Sequence, residues 1–337
     1  MNPRRILVIH VTRIGDTLLT TPVPRAFAKA WPEAEITFIG HPKRIEILRN
    51  LPFIHHIVPM TKRSAPFRGW LGRRRYDLAL VFGYDLALVR YALRVARKVV
   101  AFRQEDASLN QKLFAIAGEG ETRTNHAVPY LLQALEPLGV PVAGLHLSYC
   151  VTADENAWAQ DTLRKRDIRG APLIGLQVAS FPTKSFRDWP LEHFVALCQR
   201  ILEIYPTAHF LIFGGPLETQ RTEALHQHFP SHSTLFAGQL TLRQTAALMN
   251  QVDLYVGVDT GPTHIMGALH RPMVALYHPT SPSRALMPLE HPCCFPVDHP
   301  EADRSATVDT PIAGITVDAV WQQVQAALTW NKESSTA

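Results

Sequence analysis

The sequence predicts an α/β protein built from two Rossmann-like domains, and three features carry that prediction. A short apolar run at Ile6–Val11 is followed by a polar turn, Thr12 to Asp16, and an apolar-periodic stretch from Thr17 to Ala30, the strand, loop and helix of a parallel βαβ unit. The same plan returns at Leu173–Ala179, with a longer loop to Pro190 and a helix from Leu191 to Ile204. The segments that follow, WPEAEITFIG at 31–40 and YPTAHFLIFG at 205–214, align without a gap, and such a repeat is stronger than either run alone.

Further strands are expected at 78–82 and 99–102 in the first half, and at Asp253–Val258 and Met273–Tyr277 in the second. A chain of 337 residues exceeds the usual size of a single core, so two domains are expected, at 1–165 and 166–337. The boundary is drawn late in the 152–172 region because Ala153–Lys165 has helical composition, whereas 167–172 carries turn residues. The last helix, Val317 to Trp330, is expected to pack back on the first domain.

Hydrophobic residues at 46% and charged residues at 19% exclude a disordered or fibrous chain. No apolar run approaches the roughly 20 residues of a membrane span, and Met1–Arg5 leads straight into a strand-like segment, so no transmembrane segment and a cytoplasmic location are expected. Cys150, Cys198, Cys293 and Cys294 lack CxxC spacing and read as reduced, structural thiols. The net charge of +5 hides a split: residues 1–150 hold 21 Lys/Arg against 11 Asp/Glu, and the remainder 13 against 18. A first half at +10 attracts anionic ligands, whatever their class.

The segment richest in chemistry is DLYVGVDTGPTHIMGAL, 253–269, where an apolar strand ends in Asp259-Thr260-Gly261 and a helix starts at Pro262. Free backbone N–H groups and the helix dipole make that terminus an anion site, Gly261 allows close approach, and Thr260, Thr263 and His264 can donate hydrogen bonds. The plainer reading is a helix cap with a core histidine. A place at the carboxyl end of a strand in a repeated α/β domain favours binding, since open sheets hold ligands there.

The loop 180–190 leaves the first strand of the same domain and carries Thr183, Lys184 and Arg187, the last with a planar fork suited to phosphate; taken alone, the two cations read more simply as solvated loop charges. Glu218, in Phe213-Gly214-Gly215-Pro216-Leu217-Glu218, reads equally as an acceptor for ribose hydroxyls and as an exposed helix-start carboxylate. Neither a GxGxxG fingerprint nor a P-loop is present. In the first half, Asp16 stands at the corresponding strand-to-helix turn, where a carboxylate can take a proton from an attacking hydroxyl or can simply cap the helix. Lys62, Arg63, Arg68, Arg73, Arg74 and Arg75 form the densest basic segment, interleaved with Phe67, Trp70 and Tyr76. No nucleic-acid motif joins them, so an anionic glycolipid or membrane surface is preferred to nucleic acid. The 16 histidines are scattered without a matching ligand set, and a metal-independent reaction without cofactor is expected.

Taken together, RIGDTLLTTP at 13–22, WPEAEITFIG, Arg187-Asp188-Trp189-Pro190, FGGPLE, VGVDTGPTHIMGAL and ALYHPTSP resemble the glycosyltransferase family 9 heptosyltransferases of bacterial lipopolysaccharide core assembly over nearly the whole chain. The resemblance implies the GT-B fold, two Rossmann-like domains facing across a cleft. It also implies an inverting transfer from ADP-L-glycero-β-D-manno-heptose to the anionic lipopolysaccharide core at the cytoplasmic face of the inner membrane. The N-terminal domain would hold the acceptor, with Arg13, Gly15 and the basic segment. The C-terminal domain would hold the donor. By the same resemblance Asp16 matches the base, Arg187 a phosphate-contacting lysine, Glu218 the ribose acid and Leu240 the adenine pocket, with Asp259, Thr260, Gly261 and His264 on the phosphate and sugar motif. Two departures stand out: arginine at 187, which leaves Lys184 as a second phosphate ligand, and His278 where relatives often carry glycine. Other readings of the same residues are a GT-B relative using another nucleotide sugar, an epimerase of similar architecture, or a non-catalytic nucleotide- or glycan-binding protein.

Overall fold

The computed structural model describes residues 1–70, 74–118, 126–302 and 306–336. The chain forms two compact units, Met1–Cys150 and Val151–Ala337. In the first unit the elements run β1 (Arg5–His10), α1 (Ile14–Leu19), α2 (Pro22–Ala30), β2 (Glu35–Gly40), β3 (His56–Pro59), β4 (Tyr76–Val81), α3 (Leu86–Val95), β5 (Ala96–Phe102), α4 (Ala107–Asn110), β6 (Ala115–Ala117) and α5 (Ala127–Leu132). In the second they run α6 (Ala153–Lys165), β7 (Leu173–Gln177), α7 (Leu191–Ile204), β8 (His209–Phe213), α8 (Thr219–His228), β9 (Ser233–Leu235), α9 (Leu242–Met249), β10 (Leu254–Val258), α10 (Gly261–Leu269), β11 (Met273–Tyr277), α11 (Ser283–Leu286), β12 (Cys294–Asp298) and α12 (Val317–Thr336).

Among the described residues each unit carries one six-stranded sheet, ordered β3-β2-β1-β4-β5-β6 and β12-β11-β10-β7-β8-β9, with every pairing parallel. Counted within its own unit, the second order is the first one again. The repeat read from WPEAEITFIG and YPTAHFLIFG is therefore a repeat of topology. Continuous apolar runs are what such sheets require, because central parallel strands are covered on both faces. Ile6 to Ile9 of β1 and Leu254 to Val256 of β10 are fully buried accordingly. Connections leave β1 and β4, and likewise β7 and β10, toward opposite sides of the sheet. The crevice beyond the carboxyl ends of each pair is where an open α/β sheet takes its ligand.

Two expectations are corrected. The segment expected as one helix from Thr17 to Ala30 is two, and the first begins at Ile14, so Asp16 lies in a helical turn and not in a loop. Pro22 and Pro24 lack the amide donors a continuous helix needs, and the chain breaks at Thr20-Thr21. The boundary expected at 165/166 falls at 150/151. Thr152 and Glu155 close a capping box on α6, and Glu155 then grips Arg243 of α9 with both oxygens at 2.7 and 2.6 Å, which fastens the helix to the second unit. The last helix, α12, inserts Val320, Trp321, Val324, Ala327 and Leu328 into the second unit's core against α7 and β10–β12. All four cysteines are free thiols, and no helix among the described residues is long and apolar enough to cross a membrane.

Candidate active site

In the second unit the loop after β7 and the helix start after β10 meet at the crevice through one guanidinium. Arg187 Nη1 donates to Asp259 Oδ2 at 2.7 Å and to the Asp259 carbonyl at 3.2 Å, while Nη2 donates to Ser281 Oγ at 2.9 Å. Asp259 is buried, and its other oxygen faces His264 Nε2 at 3.3 Å without an aligned hydrogen bond. Burial alone would raise the Asp259 carboxyl; contact with His264 and the charge of Arg187 outweigh it and hold the group below the usual carboxylate range.

This triad clamps the α10 N-terminus. Thr260 is the residue before the helix, yet its side chain makes no cap hydrogen bond, and its buried Oγ1 has no hydrogen-bond partner. Pro262 brings no donor, so the first turn offers the Gly261 and Thr263 amides and the Thr260 hydroxyl. The capping alternative for Asp259 and Thr260 is thus not what the side chains do. Thr263 differs from expectation: its hydroxyl donates to the Val258 carbonyl at 2.5 Å and contacts the Tyr255 hydroxyl at 2.9 Å. The group points into the core as a pin between β10 and α10 and is not free for a ligand. Gly257 makes this possible, since a Cβ there would lie 2.5 Å from the Tyr255 oxygen.

Lys184 presents the other cation. Its ammonium sits 5.3 Å from the Phe186 ring and has no carboxylate partner among the described residues. Thr183 is exposed beside it. The loop is braced by Asp188 Oδ1, which accepts from the Ser180 amide at 2.7 Å, and by Arg221 of α8, which donates to the Val178 carbonyl at 2.8 Å and to that of Trp189. Trp189 itself is fully buried and donates to the Ile315 carbonyl. His278, the departure noted in the sequence, is buried with Nε2 2.9 Å from the Thr310 carbonyl and Nδ1 2.8 Å from Thr280 Oγ1, and it abuts Phe186 edge-on. It supports the Lys184–Arg187 turn from behind. Phe186 and Ser281 were given no role from sequence because their partners His278 and Arg187 lie more than 90 residues away in the chain; the signals were the ALYHPTSP segment and the departure at His278.

Away from the crevice, the carboxyl edge continues over β8 and β9. Glu218 does not cap α8; Oε2 turns back to accept from the Gly215 amide at 2.8 Å, with Gln177 Nε2 at 3.4 Å. Burial raises its pKa against those bonds. Leu240 follows β9 and packs, half-buried, on the cluster containing Phe236 and Tyr255.

In the first unit Asp16 is exposed in the first turn of α1, its Oδ2 accepting from Thr12 Oγ1 at 2.7 Å. Arg13 precedes it at the exposed N-cap position, and Gly15 is buried. Lys62 lies 3.7 Å from Asp85, Arg63 is exposed, and Arg68 Nη1 donates to the Pro59 carbonyl at 3.2 Å. Arg73 lies outside the described residues. The charges of Asp16 and Lys62 both act on His10 at the end of β1, so they share one end of the sheet. Among the described residues no three His, Cys, Asp or Glu side chains group as metal ligands.

The profile of Glycosyltransferase family 9 (heptosyltransferase) matches residues 66–293. Lipopolysaccharide heptosyltransferase 1 of Escherichia coli O18:K1:H7 is 30% identical over 300 residues, covering 82% of this chain and 87% of that protein. Lipooligosaccharide heptosyltransferase 2 of Haemophilus ducreyi is 25% identical over 302 residues, with 83% and 84% covered. Among solved structures, the E. coli ADP-heptose lps heptosyltransferase II superimposes with a TM-score of 0.79 at 20% identity, covering 97% of this chain and 99% of that one. The family 9 glycosyl transferase of Veillonella parvula also gives 0.79, at 19% identity and 98% coverage of both. The paired six-stranded sheets are thus those of the GT-B fold. A family match over two thirds of the sequence, together with a relative 30% identical over most of both chains, establishes that this chain belongs to glycosyltransferase family 9, the heptosyltransferases.

Proposed function

We propose that this chain transfers L-glycero-D-manno-heptose from ADP-heptose to the inner core of lipopolysaccharide, without a metal and with inversion at the anomeric carbon. The observation that carries the reading is the Arg187–Asp259–His264 cluster at the crevice of the second sheet, which leaves the α10 amides, Thr260 and Lys184 uncommitted beside it. An anion-binding helix start with an adjacent free cation suits a diphosphate. Because the Arg187 guanidinium is bound to Asp259 and Ser281, Lys184 is the main phosphate ligand and Arg187 the group that holds Asp259 in place. Glu218, beyond the phosphates, receives the ribose hydroxyls, and the Leu240 segment receives the adenine.

The first unit is the acceptor side, with Arg13, Lys62, Arg63, Arg68 and Arg73 drawing in the phosphorylated core on the cytoplasmic face of the inner membrane. Transfer requires Asp16 to reach the attacking hydroxyl. Its carboxylate takes that proton as the new oxygen–C1 bond forms, and the C1–oxygen bond to the diphosphate breaks, releasing ADP with its charge held by Lys184 and the α10 amides. A single displacement of this kind inverts C1.

Purified protein given ADP-heptose and delipidated core glycan lacking one heptose should form one new glycosidic bond, and NMR of the product should report the configuration opposite to the donor's. A retained configuration, or transfer only from a different nucleotide sugar, would sink the proposal.

A further inference from the structure

His10 is the last residue of β1 and has no part in the motifs that identify the family. Its Nδ1 lies 2.6 Å from Thr20 Oγ1, and Thr20 Oγ1 donates to the Asp16 carbonyl at 2.8 Å. A hydroxyl has one hydrogen, and a carbonyl can only accept. The Thr20 amide does not serve that carbonyl, because α1 ends there and the amide turns to the Thr17 carbonyl at 3.3 Å. The hydroxyl therefore replaces the missing amide, its hydrogen is committed to Asp16, and its lone pair faces His10. Nδ1 must then carry a hydrogen. His10 Nε2 makes no protein hydrogen bond among the described residues, and the ring rests at 5.5 Å from Phe82.

We propose that His10 is a positioning residue for Asp16, acting as the Nδ1-protonated neutral tautomer through a directed chain from Nδ1–H to Thr20 Oγ1–H to the Asp16 carbonyl. The inference rests on Asp16 being the base. The chain ties the first turn of α1 to the rigid end of β1, and Thr12 independently fixes the Asp16 carboxylate at 2.7 Å. Carboxylate and backbone are thus held from two sides, as a base that must meet a hydroxyl in one geometry requires. The charges that bear on the imidazole are Asp16 from α1 and Lys62 from the segment after β3. Burial is the larger influence and pushes its pKa down to about 4, with Asp16 opposing and Lys62 reinforcing, so the ring stays neutral at working pH.

The test has two arms on the full-length protein. Long-range proton–nitrogen correlation of the labelled histidines, with His10 assigned by its loss in His10→Asn, should show a pyrrole-type Nδ1 and a pyridine-type Nε2; the opposite tautomer overturns the proposal. In transfer assays with ADP-heptose and the core glycan, His10→Ala, His10→Gln and Thr20→Val should lower kcat about tenfold with KM for ADP-heptose within about twofold. His10→Asn, whose amide nitrogen stands where Nδ1 does, and Thr20→Ser should stay within about threefold of the parent. Equal losses in His10→Asn and His10→Ala, or rescue by His10→Gln alone, overturn positioning. Asp16→Asn is measured alongside. Retained turnover there removes the base and overturns both readings, whereas an inactive Asp16→Asn with no rescue by His10→Asn overturns only this one.

Discussion

The two sheet crevices have one topology and opposite electrostatics. In the second unit the carboxylate at the crevice, Asp259, is buried and held by an arginine and a histidine. In the first, Asp16 is exposed, and among the described residues its side chain meets a threonine hydroxyl. A buried, paired carboxylate is a poor proton acceptor but a firm strut, whereas an exposed one stays within reach of a substrate hydroxyl. On the proposed function the same fold serves two tasks: one crevice takes an anion, and the other keeps a carboxylate open for a proton.

The strongest way to break that contrast is at Asp16. Asp16→Asn should lower kcat about a thousandfold, measured by steady-state transfer, with little change in thermal stability. Arg187→Ala comes next. It strands a buried carboxylate, and denaturant titration should show a loss of about 3 kcal/mol, with Arg187→Lys recovering only part because a point charge cannot bridge Asp259 and Ser281. Thr263→Val should cost about 1 kcal/mol while leaving KM for the donor within about twofold, because the hydroxyl pins β10 to α10. The smallest effect is in pH. Asp259, with a depressed pKa, adds stability that is present above its unfolded value of about 3.9 and lost as pH falls through its lower folded value. Glu218, with a raised pKa, has the opposite sign: its contribution is present below about 4.3 and lost as pH rises through its folded value. Glu218→Gln should therefore gain stability relative to the parent on going from pH 4 to pH 7, a difference readable by thermal melts.

Much of this fold is legible in the sequence. The four inner strands of each sheet follow from short apolar runs, whereas the edge strands β3, β6, β9 and β12, short or only partly buried, were not expected. β11 and α7 fall at the residues expected, because both are bounded by prolines that leave little choice. The breaks were harder. Pro22 and Pro24 lie within an apolar-periodic stretch and divide it, while the Thr152–Glu155 capping box is visible in sequence but its grip on Arg243, 88 residues on, is not. The site followed the same division. Asp259, Thr260, Lys184 and Arg187 stand out in the sequence because glycine, proline and charge cluster at strand ends. The roles separated only in three dimensions: Arg187 turned toward Asp259, Thr263 turned inward, and His10, an ordinary strand residue by pattern, acquired its place through one threonine hydroxyl.

Nucleotide affinity is the most direct test of the division between a binding crevice and a base-bearing one. Calorimetric titration of ADP into Lys184→Ala and Asp16→Asn should give a Kd raised about tenfold in the first, as for loss of one charge-assisted phosphate contact, and a Kd within about twofold of the parent in the second. ADP bound normally by Lys184→Ala, or weakened by Asp16→Asn, would contradict it.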